Sequence, residues 1–427
     1  MNTFLAKVVT VFKDQTLRKR IIFTIGALVV FRLLATIPIP SVDAKNLATL
    51  MNSSQFFGFL NIFSGGGLSN LSIVMLGVGP FITASIIIQL MTMIFPKWKA
   101  LMHDEGEAGR LKLSQYSRLI APFLAIVQGI GFVILLQSQN VLPHFSTFTM
   151  IVNVAIITAG SMLLMWIGEL ISEFGIGNGV SLIIFAGIIS RLPMDAVRAY
   201  QTAISQGTSA IPAYILTLAV AVVVIAGVVY ITEAERTVPV TYAKQVRGNK
   251  VYGGASTYIP LRLNQSGVIP IIFAMSILLI PQLITKPLSQ VSNVIVAHWS
   301  SVVFAFFNDQ WVHGILYFIL VVAFTYFYTA VTFDPVMMAE NLQRSGAFIP
   351  GVRPGDHTRD YIGMIVTRIT LVGALFLGAI AVLPLIIQGF NSGDQSLAIG
   401  GTALLIVVSV AIDFLKKIDA QVSMREY

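Results

Sequence analysis

Ile211-Pro212-Ala213-Tyr214-Ile215-Leu216-Thr217-Leu218-Ala219-Val220-Ala221-Val222-Val223-Val224-Ile225-Ala226-Gly227-Val228-Val229-Tyr230-Ile231 contains no charged residue and no alternation of apolar with polar positions. A helix needs about 20 mostly apolar residues to cross a bilayer. The other shape that satisfies every backbone polar group in lipid is a closed β-barrel, whose strands alternate over about 10 residues. This run does not alternate, and neither does Met364–Ile387, so both read as transmembrane helices. Composition extends the reading to the whole chain. Of its 427 residues, 56% are hydrophobic and 11% charged, against roughly 25% charged in a soluble domain. So little charge does not cover a soluble surface.

Ten spans are predicted, at about 21–38, 71–94, 119–137, 150–171, 179–192, 211–231, 267–285, 312–332, 363–388 and 396–414. The connections at 95–118, 232–266 and 333–362 are long, polar and basic. Lys and Arg collect in cytoplasmic loops near span ends. With the N-terminus inside, only Lys45, Arg191, Arg198 and Lys286 of the 27 Lys and Arg fall in outer connections, with Arg32 and Arg368 within or beside spans. That bias predicts both termini in the cytoplasm. Lys7, Lys13 and Arg18-Lys19-Arg20 precede the first apolar run, and Pro38 and Pro40 follow it in place of a cleavage site, so no removable signal peptide is expected. The net charge of +8 suits loops facing anionic lipids. The chain has no cysteine, which excludes a disulfide framework, a Cys-ligated metal and a cysteine nucleophile.

Five spans plus five invite a test for an inverted repeat. The fifth opens with Gly175-Ile176-Gly177-Asn178-Gly179 and the tenth with Ala398-Ile399-Gly400-Gly401-Thr402, in both cases small residues leading into an aliphatic run. The second and seventh begin near Pro80 and Pro270. Small residues entering a span are common, so the pattern is compatible with a repeat without requiring one.

The spans are nearly free of ionisable groups. Intramembrane charges mark ion and proton pathways, yet only Arg32 sits well inside a span, and helix packing or snorkelling accounts for it. Glu169, Glu173, Asp334 and Asp413 fall at inner span ends. No P-loop, His-Glu-x-x-His helix or Gly-x-Ser-x-Gly elbow occurs, so no catalytic residue, metal or cofactor is expected. An inverted-repeat secondary transporter is the leading rival, with a membrane-embedded enzyme second. Both want intramembrane polar groups that these spans lack. Aliphatic residues instead recur one turn apart, Ile82 with Ile86 and Val180 with Ile184. A ring of them makes a dry constriction that excludes water; for any one of them alone, lipid-facing or core packing is the more ordinary explanation.

The stretch 55–70 is apolar, too short to cross, and loosened by Gly65, Gly66 and Gly67. It reads either as a re-entrant plug enclosed by protein or as an amphipathic helix on the outer surface. In the loop 232–266, strand-forming Thr237–Ala243 leads through Lys244 to a turn at Arg247-Gly248-Asn249-Lys250 and on to Val251-Tyr252, a basic-tipped hairpin. In the loop 333–362, proline and glycine flank Arg353 and hold it outward. Positive tips this far from the bilayer suit an acidic protein or an RNA backbone.

In order along the chain come Phe31-Arg32 with Ile37-Pro38-Ile39-Pro40, then Gly79-Pro80-Phe81-Ile82-Thr83-Ala84-Ser85-Ile86-Ile87-Ile88-Gln89-Leu90. Glu105-Gly106-Glu107-Ala108-Gly109-Arg110 and Gln115-Tyr116-Ser117-Arg118 follow, then Gly175–Gly179 and Glu235-Arg236 through Lys244. Gly346-Ala347-Phe348-Ile349-Pro350-Gly351-Val352-Arg353-Pro354-Gly355 and Gly400-Gly401-Thr402 complete the set. In these stretches the chain resembles the SecY family of bacterial protein-conducting channels over essentially its whole length. The resemblance implies an all-α membrane protein whose ten transmembrane helices form two pseudo-symmetric five-helix halves, 1–192 and 193–427, around a central hourglass pore. It maps the family's hydrophobic ring onto Ile82, Ile86, Val180, Ile184, Ile272 and Ile406, with Val180 departing from the usual isoleucine. It places a plug near 57–68, including Phe59, Leu60, Ile62, Phe63, Gly65 and Gly66. It sets a lateral gate between the second and third spans and the seventh and eighth, with Ser85, Gln89, Gln128 and Ser276 as its polar residues. It assigns Lys244, Arg247, Lys250 and Arg353 to binding the motor ATPase SecA or the ribosome and its rRNA; Gln245 and Asn249 depart from the more basic tip of some relatives. The partners it implies are SecE, SecG, SecA, the ribosome, signal peptides, nascent secretory or membrane proteins, and anionic lipids. The implied activity is passage of unfolded chains across the plasma membrane and sideways release of membrane segments into lipid.

Overall fold

The computed structural model describes residues 14–39, 61, 64–98, 101, 106–138, 142–143, 146–194, 197, 201, 204, 211–242, 245–247, 250–252, 256–288, 293–390 and 396–426. The elements are α1 (Gln15–Leu34), α2 (Gly79–Ile94), α3 (Gly106–Ser138), α4 (Thr147–Phe174), α5 (Gly179–Ile189) and α6 (Ile211–Glu233). Strands β1 (Glu235–Tyr242), β2 (Gln245–Arg247), β3 (Lys250–Tyr252) and β4 (Ser256–Arg262) follow. Then come α7 (Ile269–Leu288), α8 (Val294–Asn308), α9 (Gln310–Thr332), α10 (Pro335–Arg344), β5 (Ala347–Phe348), α11 (Asp356–Phe390) and α12 (Ser396–Glu426). The protein is a largely helical membrane protein, and each of the ten predicted spans falls on one of these helices. Among the described residues, four stretches are long and apolar enough to cross a membrane: Leu111–Gln137, Thr147–Phe174, Gln310–Arg344 and Asp356–Leu383.

Local chemistry sets the helix ends. Asp14 caps α1, its Oδ1 accepting from the Thr16 N–H (2.8 Å). Pro80 sits in the first turn of α2, where its missing N–H costs nothing, and α2 stops just before Pro96, as the residue preceding a proline disfavours helix. Asn178 caps α5 by accepting from the Ser181 N–H (3.2 Å), and Asp309 caps α9 by accepting from Trp311 and Val312 (3.0 Å each).

The second predicted span starts too early. Residues 71–78 form turns, with Leu71 at φ 42° and Gly77 at φ 59°. Apolar composition disguised them as helix. Their backbone is satisfied by protein: the Ile39 N–H donates to Leu71 O (2.8 Å), the Ile73 N–H to Ile37 O (3.0 Å), and Ser161 Oγ to Gly77 O (2.8 Å). Irregular backbone at membrane depth is tolerated only when enclosed in this way. Helix α8 was not anticipated. Fifteen residues are too few to span, and its exposed Val294, Ile295, Trp299 and Phe306 give it an apolar outer face.

The N-terminal helices pack α2 on α3, α3 on α4 and α4 on α5, with α1 against α4 and α5. Close approach makes the α4–α5 corner: a methyl on Gly179 would stand 1.9 Å from Gly168 O. The C-terminal helices pack α7 on α8 and α9, α9 on α11, and α12 on α6 and α11. The sets meet where α7 packs against α2 and α3 and where α12 packs against α5, and Leu17 of α1, Ile176 and Val422 of α12 share a further small cluster. Large apolar side chains such as Leu119, Phe123, Ile151 and Val223 face outward, where a soluble protein would carry charge. Ion pairs gather at the loop end of the spans: Arg118 with Glu169, Lys416 with Glu233 (3.0 Å) and Lys417 with Asp413 (2.7 Å).

Candidate functional site

Four helices supply the aliphatic residues singled out in the sequence. Ile82 and Ile86 lie one turn apart on α2, Val180 and Ile184 one turn apart on α5, Ile272 on α7 and Ile406 on α12. Ile82, Ile86, Ile184, Ile272 and Ile406 are each at most 6% exposed and belong to one continuous hydrophobic cluster, against which half-buried Val180 packs. The cluster draws on both halves of the chain. No group of three His, Asp or Glu side chains is placed to hold a metal among the described residues.

Of the plug residues, Phe59, Leu60, Ile62 and Phe63 lie outside the described residues. Gly65 and Gly66 are buried beneath Phe31 and Arg32 of α1, and Asn61 and Ser64 are buried with them. This part of the stretch is enclosed by protein rather than laid on an outer surface.

The polar residues assigned to a gate fall on the three helices that meet between the halves. Ser85 and Gln89 on α2 and Gln128 on α3 are half-buried, and Ser276 on α7 is buried. Ser276 Oγ donates to Ile272 O (2.8 Å), one turn back on its own helix. Gln89 Oε1 is buried and accepts no hydrogen bond, a state that costs about 1–3 kcal/mol.

The basic loops share one framework. β1 pairs antiparallel with β4, Val238 opposite Ile259, and β2 with β3, Arg247 opposite Lys250 at the tip. Lys244 lies outside the described residues. No local pattern announces that β5 joins β1, through Thr241 opposite Phe348 and Tyr242 opposite Ala347. The two loops thereby become one three-stranded sheet, ordered β4-β1-β5, over a small core of Val238, Val240, Leu261, Ala347, Ile349 and Ile362. Arg353 is exposed in the turn after β5, and its carbonyl accepts from Thr358 Oγ1 (2.8 Å). Arg359, six residues on, is committed to Asp360 (3.0 Å) and Asp356 (3.1 Å).

Comparisons with known proteins agree with this geometry. The SecY family profile matches residues 72–415. The chain is 40% identical over 442 aligned residues to the protein translocase subunit SecY of Mycobacterium tuberculosis, covering 99% of each chain. Its fold matches a solved protein conducting channel with TM-score 0.68 and 19% identity, over 96% of this chain and 93% of that one. It also matches Sec61 in a canine ribosome-channel complex from the endoplasmic reticulum, with TM-score 0.65, 18% identity and the same coverages. Family profile, near-full-length relative and fold agree, and the chain belongs to the SecY family.

Proposed function

We propose that this chain is the pore-forming subunit of the Sec protein translocase. It passes unfolded secretory chains across the membrane and releases membrane segments sideways into lipid. The observation that carries the reading is the buried aliphatic cluster, to which α2, α5, α7 and α12 contribute from both halves. Ile82, Ile86, Val180, Ile184, Ile272 and Ile406 form its constriction. An aliphatic ring dewets when empty and so resists ions, yet it has no fixed polar partners to lose when an extended chain slides through. The channel hydrolyses nothing; the energy comes from a motor, a ribosome or the membrane potential.

The seam of α7 against α2 and α3 serves as the lateral gate. Ser85, Gln89, Gln128 and Ser276 are its polar residues, and it parts when a hydrophobic segment partitions toward lipid. SecE and SecG are the companion subunits. SecA and the ribosome, through its rRNA, dock on the β2-β3 hairpin and the turn after β5, through Lys244, Arg247, Lys250 and Arg353. Such a partner shifts the channel only if it binds the open form more tightly than the closed one. The chain resides in the bacterial plasma membrane with both termini in the cytoplasm.

The lack of native cysteine makes the test direct. Single cysteines replace Ile82, Ile184 and Ile406, with a control at lipid-facing Val223, which is 70% exposed. Each is tested for a disulfide to a cysteine in a stalled secretory chain, with SecA and SecE present. Cross-links at the three isoleucine positions and none at Val223 are expected. Their absence while the stalled chain still engages the complex overturns the pore assignment.

A further inference from the structure

The described part of the stretch between α1 and α2 presses on α5 through a contact that no motif announces. Gly187 and Gly65 meet backbone to backbone. A methyl on Gly187 would stand 2.1 Å from Gly65 Cα, 2.5 Å from its carbonyl carbon and 2.6 Å from its oxygen. None of these atoms ends a flexible side chain, so none swings aside. On the other side, a methyl on Gly65 would stand 2.6 Å from Phe31 Cζ, and the residue adopts φ 61°, a conformation natural to glycine. A methyl on Gly66 would lie 3.4 Å from Arg32 Nη1 and 3.8 Å from Arg191 Cδ. Residues 64–67 are thus gripped between Phe31 and Arg32 of α1 and Gly187 and Arg191 at the end of α5. Hydrogen bonds from Gly66 to Asn61 O (2.9 Å), from Gly67 to Ser64 O (3.2 Å) and from Leu68 to Ser64 Oγ (3.0 Å) are local, and the Ser72 N–H donates to Gly67 O (2.9 Å) from the turn ahead of α2. The glycine-to-glycine fit is what packs the segment onto α5.

We propose that Gly187 is a positioning residue for the closed channel: the space left by its missing side chain is the seat that holds residues 64–67 against the buried cluster. A methyl there unseats the segment and opens a path for ions. Phe31, in van der Waals reach of Gly65, itself belongs to that cluster, so displacement at the seat is felt at the barrier. The inference rests on the channel reading above.

Ser64→Cys provides a unique thiol at a position 1% exposed. The full chain, in complex with SecE and SecG, is reconstituted in lipid vesicles holding a chloride-sensitive dye. Labelling by a membrane-impermeant maleimide and chloride entry are timed together. Gly187→Ala is expected to speed both by about tenfold. Gly26→Ala, whose methyl meets nothing within 4 Å, is expected to change neither. Labelling and leak that stay at the parent rate in Gly187→Ala overturn the seat, and faster labelling without leak overturns its role in closing the channel. If Gly187→Ala does not assemble, Gly66→Ala takes its place with the same outcomes, since it strains the segment through φ 84° with no contact under 3.4 Å. A parent that cross-links to stalled chains while both variants stay tight brings down the seat alone. A parent that gives no cross-links brings down the channel reading with it.

Discussion

Ser161 on α4 shows how much one side chain holds in the irregular part of this molecule. Its Oγ donates to the carbonyl of Gly77, in the turn ahead of α2, and both ends of the bond are buried. Ser161→Ala leaves that carbonyl unpaired and is expected to cost about 1–2 kcal/mol, read as a lower midpoint of thermal unfolding in detergent. Neighbouring Gly160 is tighter still. A methyl there would stand 2.1 Å from Ile73 O, and Gly160→Ala is expected to cost about 1–3 kcal/mol by the same measurement, through overpacking. Residues of this kind mark the limit of what the sequence discloses. Ile82 with Ile86 and Val180 with Ile184 were legible because one helical turn is a local rule. Gly187 and Ser161 were not, because their partners lie far away in sequence and a glycine or serine in an apolar run looks the same whether or not it makes contact.

Under the proposed function, docking falls to the strands of the basic loops. Strand β5 has only two residues, yet it fastens the turn bearing Arg353 to β1. Ala347, one of those two residues, is nearly fully buried, so Ala347→Asp places a charge in the small core and detaches the turn. Affinity for SecA or ribosomes is expected to fall about tenfold in this variant and in Arg353→Glu, with only Ala347→Asp lowering the unfolding midpoint. Binding unchanged in both variants sinks the docking assignment. The outer hairpin was readable from strand-forming residues and a Gly-Asn turn between basic residues. β5 was not, since two residues carry no periodicity. For the same reason of pattern, 71–78 passed for helix and α8 went unread: hydropathy reports burial in lipid or protein without saying which.

For the whole molecule, composition and charge said most. The scarcity of charge fixed the membrane class, and the ten apolar runs all fall on helices. The contact of α7 with α2 and α3 was legible only through family resemblance, because packing partners leave no local trace. The charge bias yields its own test. A protease site appended after Tyr427 is expected to be cut in inverted membrane vesicles and protected in intact spheroplasts; the reverse result inverts the orientation. α11 begins directly after the turn that carries Arg353 and runs through Asp356–Leu383, with Pro384 its first proline. At 1.5 Å per residue those 28 residues make a rod of about 42 Å. Just past it, the Leu385 carbonyl takes a hydrogen bond from Gln310 Nε2 at the start of α9 (2.9 Å). Under the proposed function, a torque applied by a docked motor at the loop end is carried along this rod, as by a driveshaft, to the start of α9.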